Sequence, residues 1–231
     1  MNISHLLRQY EKGHRDFPEL NLAGVDLSKV MLISVNLTKS NLMGINFSRG
    51  FLTKSNLSQA SLNWGDLTYA KMSESQLIET DLTKANLTGA FMVKSVLRSA
   101  KLSGANLSYS NLRGANLSDA NCCGANLQGA NLQGAKLRYI DLREANLQGA
   151  NLRDADLEGA DLTNAIVDNA DFTNATLRDT KVIGTQLKPQ TIQKNLSELQ
   201  LKRNPNYAGS FELLSTSYAV AVFNKDNSLS C

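Results

Sequence analysis

The sequence predicts an all-β solenoid with short α-helical caps, because one five-residue unit repeats over most of the 231 residues. The large apolar residue of each unit, called the centre here, stands at 17, 22, 27 and so on to 187, which gives 35 units over 15–189. The residue two before the centre is alanine in 18 units, which indicates a position with little room. The residue two after the centre is glycine in 11 units, and it suits the positive φ of a type II turn.

Neither an α-helix nor a flat strand explains this period. Five residues turn an α-helix by about 500°, so successive centres would cover every face. Five is also odd, so successive centres of a strand would point to opposite faces. The chain must therefore bend once per unit, and the stacked units bury their centres together. The core residues predicted in the most regular stretch are Leu107, Leu117, Cys122, Leu127, Leu147 and Leu157.

That regular stretch, Ala105–Leu162, repeats the motif A-(N/D)-L-x-x in runs such as ANLSY, ANLQG and ADLEG. The motif resembles the pentapeptide-repeat family, and the resemblance covers 175 of the 231 residues. It implies a right-handed quadrilateral parallel β-helix with four units per coil, in which residues twenty apart stack on one face. The run LLRQYEKGHRDF is also similar to the N-terminal lead-in of cyanobacterial members.

Residues 1–14 interrupt the period and predict an N-terminal capping helix. Ile3, Leu6, Leu7 and Tyr10 lie at helical spacing, and Gly13 can end the helix. The open end of a solenoid exposes apolar side chains and unpaired strand edges. We therefore expect this helix to lie across the first coil.

Residues 190–231 follow the last unit and predict a C-terminal cap helix with a tail. Ile192, Leu196 and Leu199 fit one face of a helix. No segment approaches the roughly 20 apolar residues of a membrane span, and the first residues lack the apolar run of a secretory signal. We expect no membrane association.

Apolar residues also occupy outward positions in the less regular first half of the repeats. Stacking at twenty residues predicts one column, which we interpret as a surface for a partner protein or for self-association: Met31, Phe51, Lys71 and Phe91. A second column beside it alternates in charge, with Lys54, Glu74 and Lys94. The alternative is that the C-terminal tail covers the apolar column, or that the column has no role.

The charge of the repeats bears on one activity known in the family. Some pentapeptide-repeat proteins are DNA mimics that occupy the DNA groove of a type II topoisomerase, which requires a strongly acidic rod. Residues 15–101 hold 10 basic and 7 acidic residues, and residues 102–189 hold 8 and 10, so the repeats carry a net charge of +1. This balance disfavours DNA mimicry, and it predicts no nucleic-acid binding either.

Catalysis is not expected, and neither is a cofactor or a metal site. A core of leucine and alanine leaves no cleft, and the sequence has no phosphate-binding loop and no cluster of metal ligands. His5 and His14 are isolated in the lead-in. The preferred interpretation is a non-catalytic scaffold or regulatory protein-binding module, because the cyanobacterial members that this chain resembles look like regulators acting through protein contacts. A purely structural or stress-related protein is the alternative.

The three cysteines predict no disulfide framework. Cys122 is an inward centre, Cys123 is expected to point outward, and adjacent cysteines rarely pair with each other. A reducing compartment, and therefore a cytoplasmic location, is the expectation.

Overall fold

The computed structural model describes residues 3–186, which form helix α1 (Ile3–Glu11) followed by stacked coils of twenty residues. Parallel bridges join each residue before a centre to its equivalent one coil later, from Asp16–Asn36 to Asp161–Lys181. Within the described residues these single-residue bridges take the place of longer strands. The register gives four units per coil and four faces, as the resemblance implies. The predicted C-terminal helix and tail, 190–231, lie outside the described residues.

The centres form a continuous core along the stack. Every centre from Phe17 to Phe172 is buried, whereas Leu177 and Val182 near the end of the described chain are only partly buried. The six predicted core residues, Leu107, Leu117, Cys122, Leu127, Leu147 and Leu157, are each 1% exposed or less. Removal of this apolar surface from water is the main force that holds the coils together.

Each unit ends in a tight turn, and in all described units but two a hydrogen bond from the residue three after the centre to the centre's carbonyl closes it. Ala60 N, for example, donates to Leu57 O at 3.0 Å. The exceptions are Leu20 N and Val35 N, which donate to Ser40 Oγ and Ser55 Oγ. The residue two after the centre has positive φ in every unit from Glu19 to Gly184, whether or not it is glycine. The turn predicted from the glycines is therefore general, and the backbone imposes it even on bulky side chains such as Trp64 (φ 62°).

Asparagine or aspartate before the centre has a role that the sequence analysis missed. In the unit 56–60, four of the five backbone N–H groups donate to carbonyl oxygens, in the same coil or a neighbouring one. The fifth, Ser58 N, donates instead to the side-chain oxygen of Asn56 at 3.0 Å. Gln148 N donates to Asn146 in the same way. The motif therefore uses Asn or Asp because a short carboxamide or carboxylate can accept a hydrogen bond from the residue two positions on.

Serine or threonine can replace alanine two residues before the centre when its hydroxyl donates a hydrogen bond to a backbone carbonyl. Ser75 Oγ donates to Leu52 O at 2.6 Å, and Thr80 Oγ1 donates to Leu57 O at 2.8 Å. Ser110 occupies the same kind of position, yet its buried hydroxyl has no hydrogen-bond partner among the described residues. The two serines therefore differ in hydrogen bonding although both are buried.

Substitution of these serines by alanine is expected to change stability in opposite directions. Ser75→Ala removes a satisfied buried hydrogen bond and should lower the free energy of unfolding by about 1 kcal/mol. Ser110→Ala removes an unsatisfied buried hydroxyl and should raise it by a similar amount, about 1 kcal/mol. Urea unfolding followed by circular dichroism measures both. Destabilisation by Ser110→Ala would show that its hydroxyl has a partner.

Helix α1 covers the first coils, and a glycine just beyond its last residue, Glu11, terminates it. Gly13 has φ 94°, and the N–H of the next residue, His14, donates to Gln9 O at 3.0 Å, as in a Schellman motif. Leu6 is fully buried in the common core. The Tyr10 hydroxyl donates to Ile33 O at 3.2 Å and accepts from Ile33 N at 2.9 Å. The helix is therefore attached to the stack by both apolar packing and hydrogen bonds.

The two adjacent cysteines differ from the expectation at one position. Cys122 is a free thiol in the core, and burial raises its pKa to about 12. Cys123 does not point into solvent, because it is only 2% exposed, and it is disulfide-bonded. Cys123 nevertheless lies outside the core cluster that contains Cys122, so the finding that the sequence did not predict is its disulfide and low exposure. Its bond also removes the cysteine argument for a reducing compartment.

Candidate protein-binding surface

The structure places the four predicted contact residues in one column. Parallel bridges join Met31 to Phe51, Phe51 to Lys71 and Lys71 to Phe91. Met31 is 54% exposed and Phe91 is 44% exposed, while Phe51 is half-buried. The Lys71 ammonium lies 4.6 Å from the centroid of the Phe51 ring, so a cation covers one aromatic side chain of the column. We call the part of this face that carries these four residues the Phe51 face.

The Phe51 face lacks the carboxamide or carboxylate that closes the turn elsewhere. The Phe51 face has no Asn or Asp before the centre on four successive coils. On each of the other three faces, within the described residues, at most two successive coils lack Asn or Asp at this position. The backbone N–H groups of Thr53, Ser73 and Val93 consequently have no acceptor in the described part of the chain. In the next coil Asn111 restores the pattern and accepts from Arg113 N at 3.2 Å.

The N-terminal helix supplies the missing acceptor at the first coil of this face. Ile33 occupies the position that Thr53, Ser73 and Val93 hold in later coils, and its N–H donates to the Tyr10 hydroxyl. Tyr10 therefore takes the place of the side chain that Met31 cannot provide. This contact attaches helix α1 to the first coil of the Phe51 face.

The corners that bound the Phe51 face are mainly basic. Lys29 and Arg49 are turn residues on one side, and Lys54 and Lys94 are turn residues on the other. Glu74 lies between Lys54 and Lys94, and its carboxylate is 3.9 Å from the Lys54 ammonium. No ion pair joins Glu74 to Lys94 in residues 3–186, so the predicted alternating charge ladder is only half formed. Exposed pairs of this kind contribute at most about 1 kcal/mol.

A shallow groove borders the corner formed by Lys29 and Arg49. Its volume is about 300 Å³, and its other lining residues are small or polar: Ser28, Asn46, Ser48, Asp66, Thr68 and Tyr69. The Tyr69 ring lies over the backbone of Gly89, one coil further on, where any Cβ would overlap it. The groove therefore extends the basic corner of the Phe51 face without forming an enclosed pocket.

Trp64 and Met43 form a smaller exposed apolar group on another corner. Trp64 is 61% exposed and Met43 is 48% exposed, and the Lys84 ammonium lies 4.6 Å from the Trp64 ring centroid. Both follow centres of a different face, Leu42 and Leu62, so they do not continue the column. They provide an internal comparison for experiments on the Phe51 face.

A charged cluster lies near the other end of the stack. The Glu158 carboxylate is 2.6 Å from Arg138 Nη1 and also contacts Arg178 Nη2. The hydrogen bond from Arg178, together with the charges of both arginines, lowers the pKa of Glu158 below its ordinary value. The Glu158 carboxylate therefore pairs with an arginine on the coil before it and on the coil after it, so the cluster joins three coils, although Arg178 Nε has no hydrogen-bond partner among the described residues.

Residues 3–186 contain no group of three or more His, Cys, Asp or Glu side chains arranged to hold a metal ion. No helix in this part of the chain has the length and apolar character needed to cross a membrane.

Comparison with protein families identifies the repeat. The model described as Pentapeptide repeats matches eight copies, at residues 16–49, 51–83, 75–114, 105–139 and 140–179. The chain belongs to the pentapeptide-repeat family. This finding confirms the resemblance drawn from the A-(N/D)-L-x-x motif. Among curated proteins, no match is found.

Solved structures similar to this pentapeptide-repeat protein include cyanobacterial ones. HetL from Nostoc sp. strain PCC 7120, involved in heterocyst differentiation regulation, is 31% identical over 80% of this chain and 96% of HetL, with a TM-score of 0.48. Rfr23 from Cyanothece 51142 is 25% identical over 78% of this chain and 99% of its own, with a TM-score of 0.25.

A trypsin-treated form of QnrB1, a plasmid-mediated fluoroquinolone resistance protein, is also similar. It is 15% identical over 80% of this chain and 97% of QnrB1, with a TM-score of 0.61. At this identity the likeness concerns the fold alone.

Proposed function

We propose that this protein is a right-handed, four-sided solenoid that acts as a non-catalytic scaffold or regulatory module and binds a partner protein through the Phe51 face. The observation that carries the proposal is the loss of Asn and Asp before the centre on four successive coils. Each loss leaves a backbone N–H without its usual side-chain acceptor, and three of these N–H groups, on Thr53, Ser73 and Val93, have no acceptor among the described residues. Apolar side chains and a lysine take the place of the missing acceptors, and a partner could use both.

The physical character of the surface supports this role. Contiguous exposed apolar residues on a soluble protein commonly mark interaction sites, and aromatic side chains are frequent anchors in interfaces. The stacked coils already fix Phe51 and Phe91 by backbone bridges on both sides. A partner would therefore meet a preorganised surface and would not have to order it first.

The relatives support a regulatory role over the alternatives. HetL, a relative at 31% identity, is involved in heterocyst differentiation regulation. The fold shared with QnrB1 carries no activity to this chain, and the +1 net charge of residues 15–189 does not suit an acidic DNA mimic. The buried centres fill the interior of the described residues, so no enclosed site for catalysis is found there.

Affinity capture from a lysate of the source organism tests the proposal. The full chain is compared with Phe51→Glu/Phe91→Glu, which places two carboxylates on the Phe51 face. We expect at least one partner to be retained by the unmodified protein and lost from this variant, with an unchanged circular dichroism spectrum.

The matched control is Trp64→Glu/Tyr139→Glu, which adds the same charges at two exposed aromatic residues on corners that do not bound the Phe51 face. This variant should keep the partner. Equal capture by all three proteins would contradict a role for the Phe51 face, and loss from the control alone would move the binding site to the other corners.

A further inference from the structure

We infer that the segment bound by the Phe51 face is acidic and amphipathic, with Asp or Glu flanking apolar side chains. This inference rests on the proposed function and specifies the chemistry of the partner. It is carried by two features of the described residues, the charge around the column and the unpaired backbone donors, and by the poor fit of other occupants.

The charge around the column is strongly one-sided. Over four coils, the Phe51 face and its two corners hold five basic residues and a single acidic residue, Glu74; the basic residues are Lys29, Arg49, Lys54, Lys71 and Lys94. The nearest carboxylates beyond the corner are Asp26 and Asp66, on the neighbouring face. The repeats as a whole are almost neutral, so this concentration of positive charge is local. It favours a partner with carboxylates on both sides of an apolar centre.

The backbone of the Phe51 face also offers hydrogen-bond donors to a partner. The N–H groups of Thr53, Ser73 and Val93 are spaced one coil apart, which is about 4.8 Å at ordinary strand separation. Carboxylate and carbonyl oxygens are the groups that pair with such donors. The face can therefore offer N–H groups and ammonium groups to one acidic segment at the same time.

Other occupants fit less well. The chain's own residues 187–231 contain five basic and three acidic residues, so they carry the same sign of charge as the face. A second copy joined by a two-fold axis would bring the same basic corners together. A nucleic acid would place its phosphates against Met31, Phe51 and Phe91, which offer apolar contact, and against Glu74.

Three synthetic peptides test the inference against the full-length protein. Each has about twelve residues, long enough to follow several coils, and alternates Phe or Leu with Glu, Lys or Gln. Fluorescence anisotropy at low and high salt measures their affinities, with a duplex oligonucleotide as a fourth probe. We expect the Glu peptide to bind about tenfold more tightly than the Gln peptide and to lose this advantage at high salt. The Lys peptide should bind least.

Charge reversal on the protein provides the matched comparison. Arg49→Glu/Lys54→Glu should abolish the preference for the Glu peptide, whereas Lys39→Glu/Lys101→Glu, on exposed positions of other faces, should preserve it. Equal affinity for the Glu and Lys peptides, binding of none of them, or tighter binding of the oligonucleotide would overturn the inference. A different result would contradict the proposed function: the Phe51→Glu/Phe91→Glu variant would capture the same proteins from the lysate as the unmodified protein.

Discussion

Replacement of Leu117 by aspartate is expected to lower the free energy of unfolding by several kcal/mol, because it would bury an unpaired carboxylate. Leu117 is 1% exposed and stands in the middle of the regular stretch, with buried centres in the coils on both sides. The only charged side chain classed as buried in residues 3–186 is Glu158, which two arginines neutralise. Aspartate at 117 would have no such partners in the core.

Two control variants isolate the effect of burial. Asn116→Asp adds the same charge one residue earlier, where aspartate is common and its oxygen can still accept from Ser118 N. It should change stability by less than about 0.5 kcal/mol, because the position is half-buried on the outer surface and the hydrogen bond is kept. Leu117→Met keeps the volume nearly constant and should cost less than about 1.5 kcal/mol. Thermal and urea unfolding of the three variants measure the differences. A similar loss from Asn116→Asp and Leu117→Asp would contradict the inward orientation of the centre.

Replacement of Gly50 by alanine is expected to destabilise the protein by about 1–3 kcal/mol through overpacking. Alanine is the commonest residue at this position of the unit, so the sequence motif alone would predict improvement. In the structure, a Cβ on Gly50 would overlap Cδ1 and Cε1 of the Phe47 ring, and it would lie 3.0 Å from the Phe47 carbonyl oxygen. Phe47 is 2% exposed in the core, so its ring has no free space to enter.

The compensating variant makes this prediction specific. Phe47→Leu/Gly50→Ala restores the usual pair of a leucine centre and an alanine three residues later. It should recover most of the stability lost by Gly50→Ala, which urea unfolding of the single and double variants would show as a non-additive pair. Additive losses would mean that the Phe47 ring is not what excludes a side chain at position 50.

The same kind of compensation recurs elsewhere in the first coils. Ile45 occupies a position that is usually alanine, and the residue stacked on it one coil later is Gly65. A Cβ on Gly65 would lie 3.3 Å from Ile45 O and 3.4 Å from Ile45 Cγ2. Irregular residues in this region are therefore matched to particular neighbours, and a comparison of single units with the motif does not reveal the match.

The sequence by itself determined the repeat, the family and the column. Five-residue spacing fixes which residues point inward, because only a bend in every unit returns each centre to one core. The four-unit coil, implied by the family, then aligned Met31, Phe51, Lys71 and Phe91 by their spacing alone. Each of these conclusions depends on a period, and a period can be read from a linear sequence.

The tertiary structure decided what depends on the direction of individual side chains and on neighbours that are not periodic. It showed that Asn56 and its equivalents accept a backbone N–H, and that Tyr10 does so for Ile33. It also placed Cys123 in a buried environment. Hydrogen bonds act over about 3 Å and depend on angle, so spacing in the sequence can suggest which residues meet but not which groups bond. The unpaired donors of the Phe51 face became visible for the same reason.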